Sequence, residues 1–339
     1  MTVRDYRIPF MPEGVFSHHV RGDILAGHLC WYFAQADGAT GAQRLIQAAN
    51  DGAFRLSDVF PEGFLPLPVD NPQVCLKEWL VAEEAFNQVA QKHGDKEAKC
   101  AKSNWHAIRK RARKLTHLDA RYWRTSVSRP GLLRQIVEGQ ISVAALLPRL
   151  QLPWSPPESA ENKLTEGWNG LHTAINRISN GALSGSLHER MGIQYRPGSR
   201  LDLYLRCDEG ELNRYVSALE QIGLDGHLKH ASTGWGRFTL SQAEPCKMMT
   251  TDAPSSRWVT LSPCVPEEDY GGDICCKLQP HYGKLGGVQT VGGVYKRPVI
   301  LLATGASFIG AAPRGCWLRN VHSTQPEVVH YAFAYPLAC

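Results

Sequence analysis

The sequence predicts an α+β protein, and two strand–helix pairs carry that prediction. Near the start, Tyr6 to Phe10 has a strand pattern, and the helix-like stretch Gly22 to Gln35 is apolar on nearly every face. After residue 200, Leu201 to Cys207 alternates apolar and polar residues as a half-buried strand does, and a helix pattern follows directly. A second alternating stretch, Arg237 to Ser241, completes the unit. This order fits a split βαβ arrangement of ferredoxin-like type, whose sheets often bind single-stranded RNA.

The segments between and after these pairs define two predicted domains. Ser57 to Pro68 holds too many prolines for a helix and is interpreted as an extended segment that crosses between elements. A helical pattern from Lys77 to about Arg134 predicts a large helical insertion, at about residues 75–150, in a first domain that spans residues 1–245. Short β-like runs separated by glycine and proline predict a smaller, β-rich second domain over residues 246–339.

Composition excludes several classes of protein. The 339 residues are 43% apolar and 20% charged, which is typical of packed domains and not of a disordered chain. The ten cysteines form no CxxC pair, so the sequence predicts neither a structural zinc site nor a disulfide scaffold, and no cofactor. It contains no apolar run of about 18 residues and no secretory segment. We therefore expect a cytoplasmic protein with reduced thiols and no membrane contact.

The most informative segment is the glycine-rich loop GLDGHLKHASTGWGRF, residues 223–238. Its glycines allow positive φ angles and a close approach of the backbone, so consecutive N–H groups could converge on phosphate oxygens while basic side chains supply charge. For Trp235 two interpretations stay open, packing at a domain interface or stacking on a base. The residues predicted to contact RNA here are Lys229, His230, Ser232, Thr233, Gly234, Trp235, Gly236 and Arg237.

Three further segments are candidates for RNA contact. Arg21 and Gly22 open the first predicted helix, whose free N–H groups favour an anion, and His28 is interpreted as a core histidine. Asn176 and Arg177 suit a base edge and a phosphate. The third segment is a basic amphipathic helix that could meet RNA, a partner subunit or solvent alone. Its basic residues are Arg109, Lys110, Arg113 and Lys114.

Seven separated segments carry a resemblance to a known family. They are VRGDILAGHLCWYF, SDVFPEGFLPLP, KRARKLTHLDARYW, LHTAINRI, LDLYLRCDEGEL, ASTGWGRF and GGVYKRPVILLATGASF. They span most of the chain, and their order makes the match specific. Together they resemble the RAMP superfamily of CRISPR-associated proteins and, within it, the family of subunits that cap the 5′ end of the crRNA in type III effector complexes, the fourth-subunit family of the type III-A Csm complex.

The resemblance implies a non-catalytic protein of antiviral defence, built from two RRM-like RAMP domains. Such a subunit grips the repeat-derived 5′ handle of the crRNA and docks the large polymerase/cyclase-like subunit. It also contacts a RAMP backbone subunit, and it meets target RNA only indirectly. The segment around Asn176 and Arg177, extending to Arg190, corresponds to a finger that kinks the handle in related proteins.

Other functions are compatible with the sequence. Other RAMP proteins cleave repeat RNA without a metal ion and use histidine as general base. The candidates for that role here are His18, His19, His227 and His230. A structural scaffold without RNA contact is the second alternative. No GxxxxGK[ST], HExxH or GxSxG motif supports an unrelated phosphate-dependent enzyme.

Overall fold

The computed structural model describes residues 2–94, 96, 99–123, 128–154, 164–227, 230–247, 256–285 and 293–339, with the backbone alone for 72–75. The α-helices of these residues are α1 (Gly22–Ala36), α2 (Gly38–Asn50), α3 (Pro72–His93), α4 (Ala101–Ala112), α5 (Arg129–Val137) and α6 (Leu212–Asp225). None of them is long and apolar enough to cross a membrane.

The strands of the first 250 residues are β1 (Val3–Glu13), β2 (Val15–Phe16), β3 (Phe54–Pro61), β4 (Phe64–Pro66), β5 (His117–Asp119), β6 (Leu146–Leu147), β7 (Thr165–His172), β8 (His188–Tyr195), β9 (Leu201–Asp208), β10 (Arg237–Leu240) and β11 (Glu244–Pro245). Those that follow are β12 (Arg257–Thr260), β13 (Ile274–Cys275), β14 (Leu278–His281), β15 (Val299–Leu302), β16 (Ser307–Ile309), β17 (Gly315–Leu318), β18 (His330–Phe333) and β19 (Pro336–Ala338). This mixture of helices and antiparallel sheets confirms the predicted α+β class.

The larger sheet has the order β10-β1-β9-β3, and all neighbours are antiparallel. The chain enters as β1, passes through α1 and α2 to β3, returns as β9, and passes through α6 to β10. This is the strand order of a split βαβ unit, with a long insertion between its second and third strands.

Ser57 to Pro68 is not the crossing connection that the prolines suggested. It supplies most of β3 and all of β4. Pro61 ends β3 at the edge of the larger sheet, opposite Leu201, where a missing N–H costs no ladder hydrogen bond. The pairing of β3 with β9 shifts register between Leu56 and Val59, and such an irregularity re-aims the side chains within it.

Both faces of the larger sheet are covered. On one face, the core formed with α1, α2 and α6 contains Ile8, Phe10 and Leu203. On the other face, Tyr204 packs with Tyr335 and other residues of the C-terminal strands. The prediction of a half-buried β9 is therefore wrong, because strands from the far end of the chain bury its second face. That face is unavailable as an open platform for RNA.

The predicted helical insertion contains α3, α4 and α5, which pack around a core of their own. Trp105 of α4 lies against Phe86 and Trp79 of α3, with ring centroids 5.6 and 5.9 Å apart. Ile108 and Ala112 are buried on the same side of α4 as Trp105, as their spacing predicted. The insertion thus holds the basic helix on a rigid apolar base.

The C-terminal strands form a sheet of order β13-β16-β12-β19 and two separate pairs, β14-β15 and β17-β18. The expected β-rich character is observed for residues 256–285 and 293–339. These two ranges hold no α-helix, whereas a second ferredoxin-like unit needs two. The predicted pair of RRM-like domains therefore remains a prediction.

Candidate nucleic-acid interface

The glycine-rich loop connects α6 to β10 at one edge of the larger sheet. Gly226, Gly234 and Gly236 have φ angles of 90°, 85° and 73°, and His230 also has a positive φ of 70°. At Gly236 a Cβ atom would lie 1.8 Å from the carbonyl oxygen of His227. Only glycine fits there, so the loop has a defined fold and is not an arbitrary turn.

The backbone N–H groups of this loop are largely used within the protein. Thr233 donates to the His230 carbonyl at 2.9 Å, and Gly234 donates to that of Ala231 at 2.9 Å. Gly236 donates to Val15 of β2 at 2.8 Å. The predicted cradle of consecutive free N–H groups is therefore not formed at these positions, because a 3₁₀ turn and strand contacts satisfy them first.

The loop instead presents side chains. Ser232, Thr233 and Arg237 are exposed, and the half-buried His230 ring packs against Trp235 at a centroid distance of 5.1 Å. Lys229 lies outside the described residues. Arg237 stands at the start of β10, directly beside the loop, where its guanidinium is placed to meet an anion.

Trp235 is buried, with 6% of its surface exposed, and cannot serve as a stacking platform in this conformation. Its ring meets Trp168 of β7 edge to face at 5.1 Å. Gly192 of β8 lies so close that a Cβ atom there would approach the Trp235 ring to 3.0 Å. Of the two interpretations of Trp235, packing is the observed one, and it joins the loop to a neighbouring hairpin.

That hairpin is formed by β7 and β8, which pair from Thr165–Tyr195 to His172–His188. We call it the finger, with residues 173–187 as its tip. The Asn176 Oδ1 atom accepts the backbone N–H of Ile178 at 2.9 Å, so Asn176 shapes the tip, and its side-chain NH2 group is the part that could read a base. Arg177 is exposed beside it. The finger extends through Arg190, as the sequence predicted.

Apolar side chains on the finger face solvent. Ile178 is 97% exposed, and Leu171 and Met191 are more than two-thirds exposed. Soluble chains seldom leave such residues together without a partner, which indicates a contact surface. Sequence reasoning missed these residues and Trp168, although apolar residues in an otherwise polar, glycine-rich segment were the available signal.

The N-terminus of α1 is not an open anion site. The backbone N–H of Gly22 donates to Asp58 Oδ1 at 2.8 Å, and Asp58 comes from the irregular part of β3. Arg21 donates twice to Asp23, at 2.9 and 2.6 Å, so its charge is neutralised. The predicted RNA contacts of Arg21 and Gly22 are therefore not supported, because the protein supplies its own anions there.

Burial raises the pKa of Asp58 to about 7. The hydrogen bonds from Thr304 and Gly22 oppose this shift, and the nearby Asp23 adds to it. The Thr304 Oγ1 atom donates to Asp58 Oδ2 at 2.5 Å. Asp58 thus joins the start of α1 to the loop after β15.

Asp23, His281 and His330 have donor atoms within 4.8 Å of one another and could hold a metal ion. The Nε2 atom of His330 lies 3.2 Å from Asp23, and Arg21 already binds both carboxylate oxygens. Burial alone would raise the pKa of Asp23, but His330 and Arg21 outweigh it and lower that pKa. We interpret the cluster as a buried polar network, built on the Arg21–Asp23 ion pair, that joins α1 to β14 and β18.

The four histidines proposed as a general base differ in accessibility. His227 is fully buried against His28, and burial followed by the charges of His28 and His18 lowers its pKa well below the usual value. His19 is exposed, its ring contacts the Tyr195 hydroxyl at 3.1 Å, and partial burial of the ring followed by the charge of His18 lowers its pKa. His18 is exposed and His230 is half-buried. His28, interpreted as a core histidine, is half-buried with a pKa lowered to about 4 by burial.

The basic helix α4 lies in the insertion. Lys110, Arg113 and Lys114 are exposed, and the half-buried Arg109 places its guanidinium 5.0 Å from the Trp79 ring centroid. None of these four cations makes an ion pair with a carboxylate of the described residues. With respect to the carboxylates that the structure describes, the helix therefore presents unpaired positive charge.

No family model and no curated protein matches this chain. Among solved structures, it is similar to a chain of a Csm1–Csm4 cassette in complex with pppApA, at 17% identity and a TM-score of 0.54, over 98% of this chain and 97% of that one. A chain of a Csm1–Csm4 cassette in complex with cA4 is 17% identical to it, with a TM-score of 0.52, over 98% of this chain and 97% of that one. A chain of the Csm3–Csm4 subcomplex of a type III-A CRISPR–Cas interference complex is 11% identical, with a TM-score of 0.54, over 98% of this chain and 99% of that one. The chain thus has the fold of these Csm1–Csm4 and Csm3–Csm4 chains, and this is the fold that the resemblance found in the sequence predicts.

Proposed function

We propose that this protein is a non-catalytic, crRNA-binding subunit of a type III CRISPR effector complex and holds the repeat-derived 5′ handle. The observation that carries the proposal is the joining of the glycine-rich loop to the finger through Trp235 and Trp168. A fixed loop with hydroxyl and basic side chains beside an apolar finger suits a strand whose phosphates are held while its bases are displaced.

The cations of this site are few and well placed. Arg237 stands at the loop, Arg177 at the finger tip and Arg190 on β8. Each is a planar guanidinium that suits bidentate contact with a phosphate. Lys229, in the same loop, adds a fourth candidate. Since the loop N–H groups are mostly satisfied, we assign the phosphate contacts to side chains and not to a backbone cradle.

Assembly with other subunits belongs to the same proposal. The solved structures with this fold come from Csm1–Csm4 and Csm3–Csm4 assemblies. By analogy, this chain docks a large polymerase/cyclase-like subunit and a RAMP backbone subunit. Exposed Ile178, Leu171 and Met191 on the finger offer an apolar surface for such contacts or for the bases of the handle.

The alternative of a metal-independent repeat-RNA endonuclease is weaker on this geometry. A general base must reach a 2′-hydroxyl, and the fully buried His227 is enclosed by the protein. His18 and His19 are exposed and His230 is half-buried, so these three remain candidates that the cleavage assay tests. We expect the purified protein to leave repeat RNA intact with or without Mg²⁺, and specific cuts that a His230→Ala substitution abolishes would establish the nuclease instead.

The test of handle binding is reconstitution of the complex with the double substitution Lys229→Ala and Arg237→Ala. We expect normal folding by circular dichroism but loss of assembly that depends on the 5′ handle. Arg319→Ala is the matched control, since Arg319 is also an exposed arginine but lies beyond β17. Full assembly of the double variant on handle-bearing RNA contradicts the proposal, as does equal loss in the control.

A further inference from the structure

The positive charge of this protein is concentrated in its helical insertion. Residues 72–154 contain 15 Lys and Arg against 7 Asp and Glu, a net charge of +8. The remainder of the chain has 22 against 25, a net charge of −3. The modest total of +5 therefore combines a strongly basic insertion with a weakly acidic remainder, and such clustering is the electrostatic footprint of a polyanion site.

Within the insertion, α4 organises the charge into one stripe. Lys102, His106, Arg109, Lys110 and Arg113 follow one another at i, i+4, i+7, i+8 and i+11, so they share one side of the helix. All are exposed except the half-buried Arg109. From Lys102 to Arg113 the stripe is about 17 Å long, a length that several consecutive phosphates of one strand occupy.

The cations of this stripe have no carboxylate partner among the described side chains, whereas those of the larger sheet are paired. Arg7 binds Asp202 at 2.8 Å, and Arg206 binds Asp5 at 2.8 Å. On the stripe, the one interaction described is the stacking of Arg109 over Trp79. Positive charge that no described carboxylate neutralises is available to a ligand.

The helix that carries the stripe is held firmly. Trp105, Ile108 and Ala112 fix its opposite side in the core of the insertion, where each is at most 2% exposed. The spacing of the basic side chains is therefore set before a ligand arrives, which lowers the entropic cost of binding.

The composition of this surface favours a nucleic-acid backbone over an acidic protein. Protein interfaces gain most of their affinity from buried apolar and aromatic anchors. No large apolar side chain of α4 is exposed, and among the described residues of the insertion the exposed ones, Leu76, Leu80 and Val81, lie on α3. A surface of cations without such anchors suits contacts with phosphates, which need charge alone.

We infer that the α4 stripe is a second RNA-binding surface, which holds an RNA segment other than the 5′ handle through its phosphates and without regard to sequence. The choice of RNA among polyanions rests on the proposed function, but the separation of charge between insertion and remainder does not. The surface adds affinity, while selection of the handle stays with the loop and finger.

The test uses the purified full chain and the triple substitution Lys102→Gln, Lys110→Gln and Arg113→Gln. We measure the binding of three ligands at several salt concentrations. They are a 20-nucleotide oligouridine RNA, an oligothymidine DNA of the same length, and handle-bearing RNA. We expect the triple variant to bind oligouridine at least tenfold more weakly at 0.1 M salt. The slope of log K against log salt falls by about 2, because each lost phosphate contact removes about 0.7.

Two controls keep the outcomes separate. The variant Arg4→Gln, Arg200→Gln and Arg319→Gln removes the same charge from exposed positions outside the insertion, and we expect it to bind oligouridine as the wild type does. The stripe variant keeps the wild-type preference for handle-bearing over oligouridine RNA, whereas Lys229→Ala with Arg237→Ala loses that preference and keeps oligouridine binding.

Several results overturn the inference. Unchanged oligouridine affinity in the stripe variant refutes it, and so does an equal loss in the charge-matched control. Loss of oligothymidine binding alone assigns the stripe to DNA. Unchanged RNA affinity together with lost co-purification of a neighbouring subunit assigns it to an acidic protein. Failure of the handle preference in the wild type contradicts the proposed function and leaves the stripe result intact.

Discussion

The glycine-rich loop with its finger and the basic helix α4 offer an RNA strand opposite kinds of surface. At the loop, most of the described backbone N–H groups are satisfied internally, and close packing at Gly236 and Trp235 fixes the backbone. At α4, a plain helix carries cations without carboxylate partners among the described residues. Binding by a shaped loop selects its ligand and is disturbed by a change of a few atoms. Binding by exposed charge accepts any sequence and weakens as the salt concentration rises. The difference assigns selection to the loop and finger and added affinity to α4.

The largest expected effect follows removal of the Trp235 ring. Trp235→Ala deletes a buried side chain that joins the loop to Trp168, so we expect a loss of about 3–5 kcal/mol in the free energy of unfolding. Trp235→Phe, which keeps an aromatic contact, costs less than about 2 kcal/mol. Urea denaturation measures both. Equal stability of Trp235→Ala and wild type would show that loop and finger are not coupled.

The second prediction concerns the carboxylate at the start of α1. Because the pKa of Asp58 is raised to about 7, the folded protein keeps a proton between about pH 4 and 7 that the unfolded chain releases. The stabilisation of the folded state by this bound proton is complete below about pH 4 and is lost as the pH rises through 7. Asp58→Asn keeps an acceptor for Gly22 but cannot ionise.

We therefore expect the free energy of unfolding of wild type, relative to Asp58→Asn, to fall by up to about 4 kcal/mol from pH 4 to pH 8. Denaturation at fixed pH values checks this. Asp51→Asn, at an exposed position, is the control and should give a difference that varies little with pH. If the difference in the free energy of unfolding between wild type and Asp58→Asn does not change with pH, the start of α1 is more hydrated than the structure indicates.

A smaller effect is expected at the finger tip. Ile178→Ser changes a side chain that is 97% exposed, so the free energy of unfolding should stay within about 0.5 kcal/mol of wild type. If the tip displaces bases of the handle, affinity for handle-bearing RNA falls several-fold while oligouridine binding is unchanged. Filter binding with both RNAs measures this. An equal loss for both RNAs would place the finger with α4 as a non-selective surface.

The smallest expected effect separates two cations of α4. Arg109→Ala removes a guanidinium that lies over Trp79 and should cost about 0.5–1 kcal/mol of stability. Lys110→Ala, at the adjacent exposed position, should leave stability within about 0.5 kcal/mol. Thermal denaturation of the two variants gives the comparison. Identical stability would show that Arg109 is as free as its neighbour.

The sequence predicts the elements whose structure is decided locally. The helix of residues 22–36, the strand of residues 201–208 and the apolar side of α4 follow from periodicity, and the structure has them. The seven ordered segments predicted the fold that the solved structures share. These features depend on neighbouring residues, so a linear pattern suffices to find them.

What the sequence could not predict depends on residues that are distant along the chain. Asp58 reaches Gly22 only because β3 lies beside α1, so the helix start looked like an open anion site. Tyr335 covers Tyr204 from the other end of the chain, so β9 looked half-buried. Trp235 is buried by Trp168 of the finger, a contact that no local pattern specifies.

The central proposal, that the loop and the finger together hold the 5′ handle, is tested most directly by photocrosslinking. Photoreactive uridines are placed singly along the handle and at matched positions in the guide segment of the reconstituted complex. We predict handle-specific crosslinks to residues 229–237 and 173–190. Crosslinks from the handle to neither segment, with the complex intact, would contradict it.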